Sequence, residues 1–191
     1  MDLQHVNVKF LLKDAEAADL EPLIPIFHGW IQGRVCEELL LDVADYRHVP
    51  AGPGVMVIGL QADYSVDDTD HRLGVRYNRK AGLDGGNQQR LEQAARAALT
   101  AFQRLEEDPR LGGKLRFEGR EVEVFINDRA LAPNTGETRD AADPDLRAFA
   151  KKLFRGGEYS LTYGNDPRRL FGACLKSSQE FSVADLLKNL S

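Results

Sequence analysis

Cysteine is scarce in this chain. Cys36 and Cys174 stand alone and far apart, with no CxxC and no cysteine–histidine spacing. That excludes a disulfide scaffold, argues against a structural zinc site, and leaves two reduced thiols in a cytosolic protein as the default. Long apolar runs are missing too, and nothing approaches the roughly 18 residues that a membrane helix needs. The opening MDLQHVNVKFLLKD has no basic region followed by an apolar one, so no signal peptide is expected. Base is in deficit: 25 Lys and Arg stand against 30 Asp and Glu, a net charge of −5. An acidic chain repels phosphate backbones, so nucleic acid is not expected as a partner, and without a long apolar run neither is a membrane. One local exception is Arg147, Lys151, Lys152 and Arg155, joined by Arg168 and Arg169, which reads first as a solvated helix face plus a turn. Glycine (17) and proline (8) are ordinary in number, which excludes collagen-like and low-complexity classes. The 42% apolar content of 191 residues suffices for one globular core.

What is present is periodicity. Val6, Val8, Phe10 and Leu12 alternate as in a strand with one buried face. Leu20, Leu23, Ile24, Phe27 and Ile31 recur at helical spacing, with Pro22 and Pro25 near the start, where they are tolerated. Leu39–Val43 and Val55–Leu60 read as short buried strands joined by a loop over 44–54, and Leu73, Val75 and Tyr77 as a third; 63–72 reads as a polar acidic stretch. Leu91, Ala95, Ala98, Phe102 and Leu105 mark a long helix. Leu115 to Ile126 reads as a hairpin turning at Glu118-Gly119. After a loop over 127–142, Asp143 and Pro144 open a helix closed by Gly156-Gly157. Tyr159–Tyr163 and Phe171–Leu175 form a second hairpin, and Ser182 with Asp185 makes a capping box for a short final helix. The order predicts an α+β fold: a mainly antiparallel sheet with helices packed on it, one compact unit over 1–191. It further suggests two fused ferredoxin-like (βαββαβ-type) halves, 1–118 and 119–191.

Chemistry-bearing residues gather early. His5, His28, His48, His71 and Trp30 all lie in the first 71 residues, and Ala-Asp-Tyr occurs at 44–46 and again at 62–64. A hairpin would put the two copies at opposite ends of the sheet, so one site is favoured, at Asp45, Tyr46 and His48, with His48 as the proton-transfer group. The competing reading has Asp45 capping the loop and His48 solvated. Asp67, Asp68, Asp70 and His71 are weak metal-ligand candidates, since the run lacks the spacing of an EF-hand. No GxSxG, Walker or GxGxxG pattern occurs, so no cofactor is indicated.

The stretches Pro22–Gln32 and Asp42–Pro50 resemble a family of uncharacterised bacterial proteins of about this length. The resemblance implies a bacterial, cytoplasmic protein and transfers no catalytic residue. The favoured function is therefore a non-catalytic accessory or binding protein acting through a protein interface. The alternative is an acid–base enzyme or small-ligand binder at Asp45, Tyr46 and His48. A homo-oligomer or a protein partner is expected because two hairpins leave sheet edges. Phe125, the single large apolar group on an acidic strand face, calls for a covering loop or a partner.

Overall fold

The alternating segments do form strands, and they join one sheet. A computed structural model describes the backbone of residues 1–191 and every side chain except that of Ala17. Eight strands pair antiparallel throughout, in the order β2-β3-β4-β5-β1-β6-β8-β7. They are β1 (Val6–Leu12), β2 (Leu40–Tyr46), β3 (Gly54–Gly59), β4 (Ala62–Asp67), β5 (Gly74–Arg79), β6 (Phe117–Ile126), β7 (Tyr159–Tyr163) and β8 (Phe171–Ser177). Four helices, α1 (Leu23–Gly33), α2 (Asn87–Glu106), α3 (Gly136–Leu153) and α4 (Val183–Asn189), pack on one face. The fold is thus the α+β arrangement expected. Among the described residues no helix is long and apolar enough to cross a membrane.

α2 places Leu91, Ala95, Ala98, Phe102 and Leu105 against β1 and β5, all at most 1% exposed. Phe102 meets the Phe117 ring edge-on at 5.0 Å between centroids. α4 carries its capping box: the Ser182 hydroxyl accepts from the Asp185 amide at 3.1 Å, and the Asp185 carboxylate accepts from the Ser182 amide at 3.1 Å.

Four expectations are corrected. The polar stretch 63–72 holds a whole strand, β4, in which Ala62, Tyr64 and Val66 face the helices while Asp63, Ser65 and Asp67 face away. The segment 115–126 is no hairpin: β6 runs unbroken from Phe117 through Gly119, whose φ of +79° bends the strand. A Cβ there would lie 2.4 Å from the Phe181 carbonyl oxygen, so only glycine fits. α3 begins seven residues before Asp143, at a Thr135 cap whose hydroxyl accepts from the Thr138 amide at 3.3 Å. Pro144 is then interior, and the carbonyl it leaves free belongs to exposed Asp140, where water can take it. Finally, β2 is an edge strand rather than a buried one, with Leu39 and Leu41 more than half exposed.

No helix lies on the opposite sheet face, yet its centre is closed to solvent. Asn7, Lys9 and Asp67 are at most 1% exposed there, and the turn at 69–71 crosses beside them, its Thr69 carbonyl accepting from Lys9 Nζ at 3.3 Å. Lys9 Nζ donates to Asp67 Oδ1 at 2.7 Å, and both amide atoms of Asn7 lack a partner.

Candidate functional site

The residues singled out from the sequence are dispersed, most of them on the surface and Asp67 buried. Asp45, Tyr46 and His48 lie at the end of β2 and in the turn after it, all exposed. The Arg47 guanidinium grips both oxygens of Asp45, at 2.9 and 2.7 Å, and holds that carboxyl at about 2. Tyr46 and His48 stand 6.3 Å apart, ring to ring. The cavity beneath this turn is lined by Arg47, Val49 and Gly52, and by none of the three. The two Ala-Asp-Tyr copies sit on β2 and β4 with β3 between them, three registers apart. That odd offset turns Asp45 and Tyr64 to the helix side, and Tyr46 and Asp63 to the other.

The acidic run is likewise divided. Asp67 is committed to Lys9, Asp70 to Arg169, and Asp68 lies 3.8 Å from an exposed His71. Among the described residues no three His, Cys, Asp or Glu side chains converge as a metal site would require. His28 is exposed on α1, and the four histidines do not gather.

A different constellation forms between α2 and the chain leaving α1. Arg34 ends α1 in a left-handed conformation, φ 49°. The turn lays residues 35–38 along the flank of α2 above β4 and β5, beside a cleft of about 390 Å³. Glu38 closes its floor at 8% exposure. Tyr64 and Tyr77 are direct register partners on β4 and β5, so their phenols rise side by side from the sheet. The Tyr64 hydroxyl donates to Glu38 Oε2 at 2.5 Å, and the Tyr77 hydroxyl to Oε1 at 2.7 Å. Both carboxyl oxygens accepting is the pattern of an ionised carboxylate. Arg79 lies 3.9 Å from Glu38, and Gln93 of α2 donates to the Tyr77 oxygen at 3.0 Å. Behind the phenols an aromatic row, Phe27, Trp30, Tyr64 and Tyr77, steps along at 5.1 to 6.2 Å between rings. The walls mix apolar Val35, Ala97 and Ala101 with Gln89, Arg96 and Arg104.

The electrostatics favour binding over bond-making. Burial pushes the Cys36 thiol up to about 11, against the opposing effect of the neighbouring Tyr64 hydroxyl. Burial, then the neighbouring Cys36 and the hydrogen-bonded Glu38, push the Tyr64 phenol up as well, and burial does the same to Tyr77. Cys174, on the helix-free face, goes to about 12 through burial and the neighbouring Glu121. Each is held in its protonated, weakly nucleophilic form.

No family model, no curated protein and no solved structure matches this chain.

Neither Glu38 nor Gln93 stood out in the sequence, and Cys36 was read only as a reduced thiol. Glu38 lies in a short polar segment with no periodicity. The available signal was in the strands: Tyr64 and Tyr77 are in phase with buried Val66 and Val75. A buried phenol needs a hydrogen-bond partner.

Proposed function

We propose that this is a non-catalytic binding protein whose ligand site is the cleft between α2 and residues 35–38. One observation carries the reading: a carboxylate only 8% exposed, yet at the floor of an open cleft, oriented by two phenols at 2.5 and 2.7 Å. Burying a carboxylate is costly, and two hydroxyls offset only part of the lost hydration. Each oxygen keeps acceptor capacity, so the ligand of choice is a small polar molecule with N–H or O–H donors. Thiols and phenols held protonated support binding rather than covalent chemistry. The bacterial, cytoplasmic setting implied by the resemblance belongs to this reading.

Native mass spectrometry of protein purified from its own host tests it. The expected result is an added mass, lost on denaturation and lost in Thr100→Phe, which adds bulk to the cleft wall and removes none of the hydrogen bonds that hold Glu38. An unliganded mass in the parent, or an adduct that Thr100→Phe retains, overturns the reading.

A second reading, the protein interface favoured from sequence, rests on the outer edge of β2. Its backbone lacks a neighbouring strand, and Leu39, Leu41 and Leu60 beside it are 52 to 59% exposed. The edges expected at 115–126 and 158–175 divide: β6 is central, while β7 is an outer strand. Pairing of β2 with a second copy would make the homodimer expected from sequence. Sedimentation should show a dimer that Leu41→Lys dissociates; a monomer at every concentration sinks this reading.

A further inference from the structure

A separate cavity of about 230 Å³ opens on the helix-free sheet face. Five cations line it: Lys9 from β1, Arg76 from β5, Arg129 beyond β6, and Arg168 and Arg169 from the β7–β8 turn. Asp67, Asp70 and Glu123 line it as well, but these carboxylates are already engaged. Asp67 accepts Lys9 Nζ at 2.7 Å and the Thr69 hydroxyl and amide at 3.0 and 3.1 Å. Asp70 is paired with Arg169, Glu123 with Arg72 at 3.0 Å, and Arg168 with Asp166 at 3.0 Å.

Two guanidiniums remain without a matched anion. Arg129 is exposed and makes no ion pair among the described residues. The Arg76 side chain is only 19% exposed, and its sole carboxylate contact is a long 3.5 Å approach to Asp67. Its Nε is enclosed with no acceptor. Its guanidinium carbon lies 5.3 Å over the Phe125 ring, which shields one face and accepts no in-plane hydrogen bond. Arg76 thus covers one face of Phe125, and Arg129 and Asn134 of the 127–142 loop line the cavities beside it. A planar cation with five donors, largely desolvated and nearly unpaired, is poised for an oxyanion. An adjoining cavity of about 280 Å³ shares Glu123, Phe125 and Leu170 and continues toward Thr162 and Asn134, which are neutral hydrogen-bonding groups.

We propose that this face binds a small organic anion. Its phosphate or carboxylate head is taken by Arg76 and Arg129, with Lys9 behind them, and its body runs past Phe125 toward Thr162. In a chain of net charge −5, general attraction for anions is not expected, so the local arrangement must supply the affinity.

Inorganic phosphate and citrate, titrated separately into the full-length protein at constant ionic strength, test this by calorimetry and amide NMR shifts. At least one anion should bind saturably at one site, with shifts centred on Thr69, Phe125 and Leu170. Arg129→Ala, at an exposed position that leaves folding intact, should weaken it about tenfold. Tighter phosphate binding assigns a phosphorylated ligand, and tighter citrate binding a carboxylate. Arg104→Ala, in the Glu38 cleft, should change nothing, which keeps this proposal separate from the first. No saturation by either anion overturns it. So does an equal response to chloride, or parent-like binding by both Arg129→Ala and Arg76→Gln.

Discussion

The two faces of the sheet are made by the same strands and exclude water by different means. On β1, Val6, Val8 and Phe10 point to the helices and Asn7 and Lys9 point away, all at most 2% exposed. The helix side is sealed by a second layer, through non-directional apolar contact with α1, α2 and α3. The far side has no helical layer and is sealed by its own long side chains, in pairs such as Lys9–Asp67 and Arg72–Glu123, and by the turns around Thr69 and Arg169. Apolar packing tolerates exchange of one hydrophobic group for another of similar volume. A buried ion pair tolerates neither partner's loss alone, because the survivor is left charged and dry.

Single substitutions on the two faces should therefore cost similar amounts but differ in rescue. Lys9→Met should destabilise by about 3–5 kcal/mol in urea unfolding, and adding Asp67→Leu should recover most of that. Phe102→Ala should cost about 3–5 kcal/mol with no single compensating change nearby. A double Lys9/Asp67 variant as unstable as the single one would break the comparison. A smaller effect is expected at the start of α4, where Ser182→Ala should cost about 1 kcal/mol and serves as a yardstick off both faces.

Titration sharpens the contrast further, because only the far face carries opposed carboxylates. Burial works against Glu121, but the Cys174 thiol and the Arg72 guanidinium outweigh it and hold its carboxyl below the ordinary 4.5. Its contribution to stability is present above pH 4.5 and is lost as pH falls through the lowered value. Burial pushes Glu123 above 4.5 despite Arg72, so its contribution has the opposite sign and is lost as pH rises. Glu121→Gln should flatten the acid limb of stability measured from about pH 7 to about pH 3, whereas Glu123→Gln should steepen it. The smallest effect belongs to exposed Asp45→Asn, which should leave the unfolding curve in the same assay superimposable on the parent's.

The same contrast explains what was legible in the sequence. The helix-side pattern is apolar and periodic, so β1, β5, α2 and the α4 cap could be read directly. β4 was hidden because its outward residues, Asp63, Ser65 and Asp67, look like a loop's acids, although they are in strict alternation with Ala62, Tyr64 and Val66. Gly119 read as a turn because a bulged strand and a hairpin both ask for a positive φ there. Asp143-Pro144 had the residue types of a helix start, but Thr135 won because its cap engages a turn that continues unbroken into the later apolar stripe. Glu38 was invisible for a different reason: its partners lie 26 and 39 residues away along the chain, and only the pairing of β4 with β5 sets them side by side.

Trp30 gives the cleft its own optical signal. It is the chain's one tryptophan, 6% exposed, and its ring stands 6.2 Å from that of Tyr64, whose hydroxyl holds Glu38. All indole emission therefore arises one aromatic contact from the cleft floor. Tyr64 and Tyr77 are placed to pass excitation to it across adjoining rings. A ligand that draws Glu38 away from the phenols would alter both the yield and the colour of that single emitter. Binding can then be followed in unlabelled protein, with Tyr64→Phe as the variant that uncouples the emitter from the site.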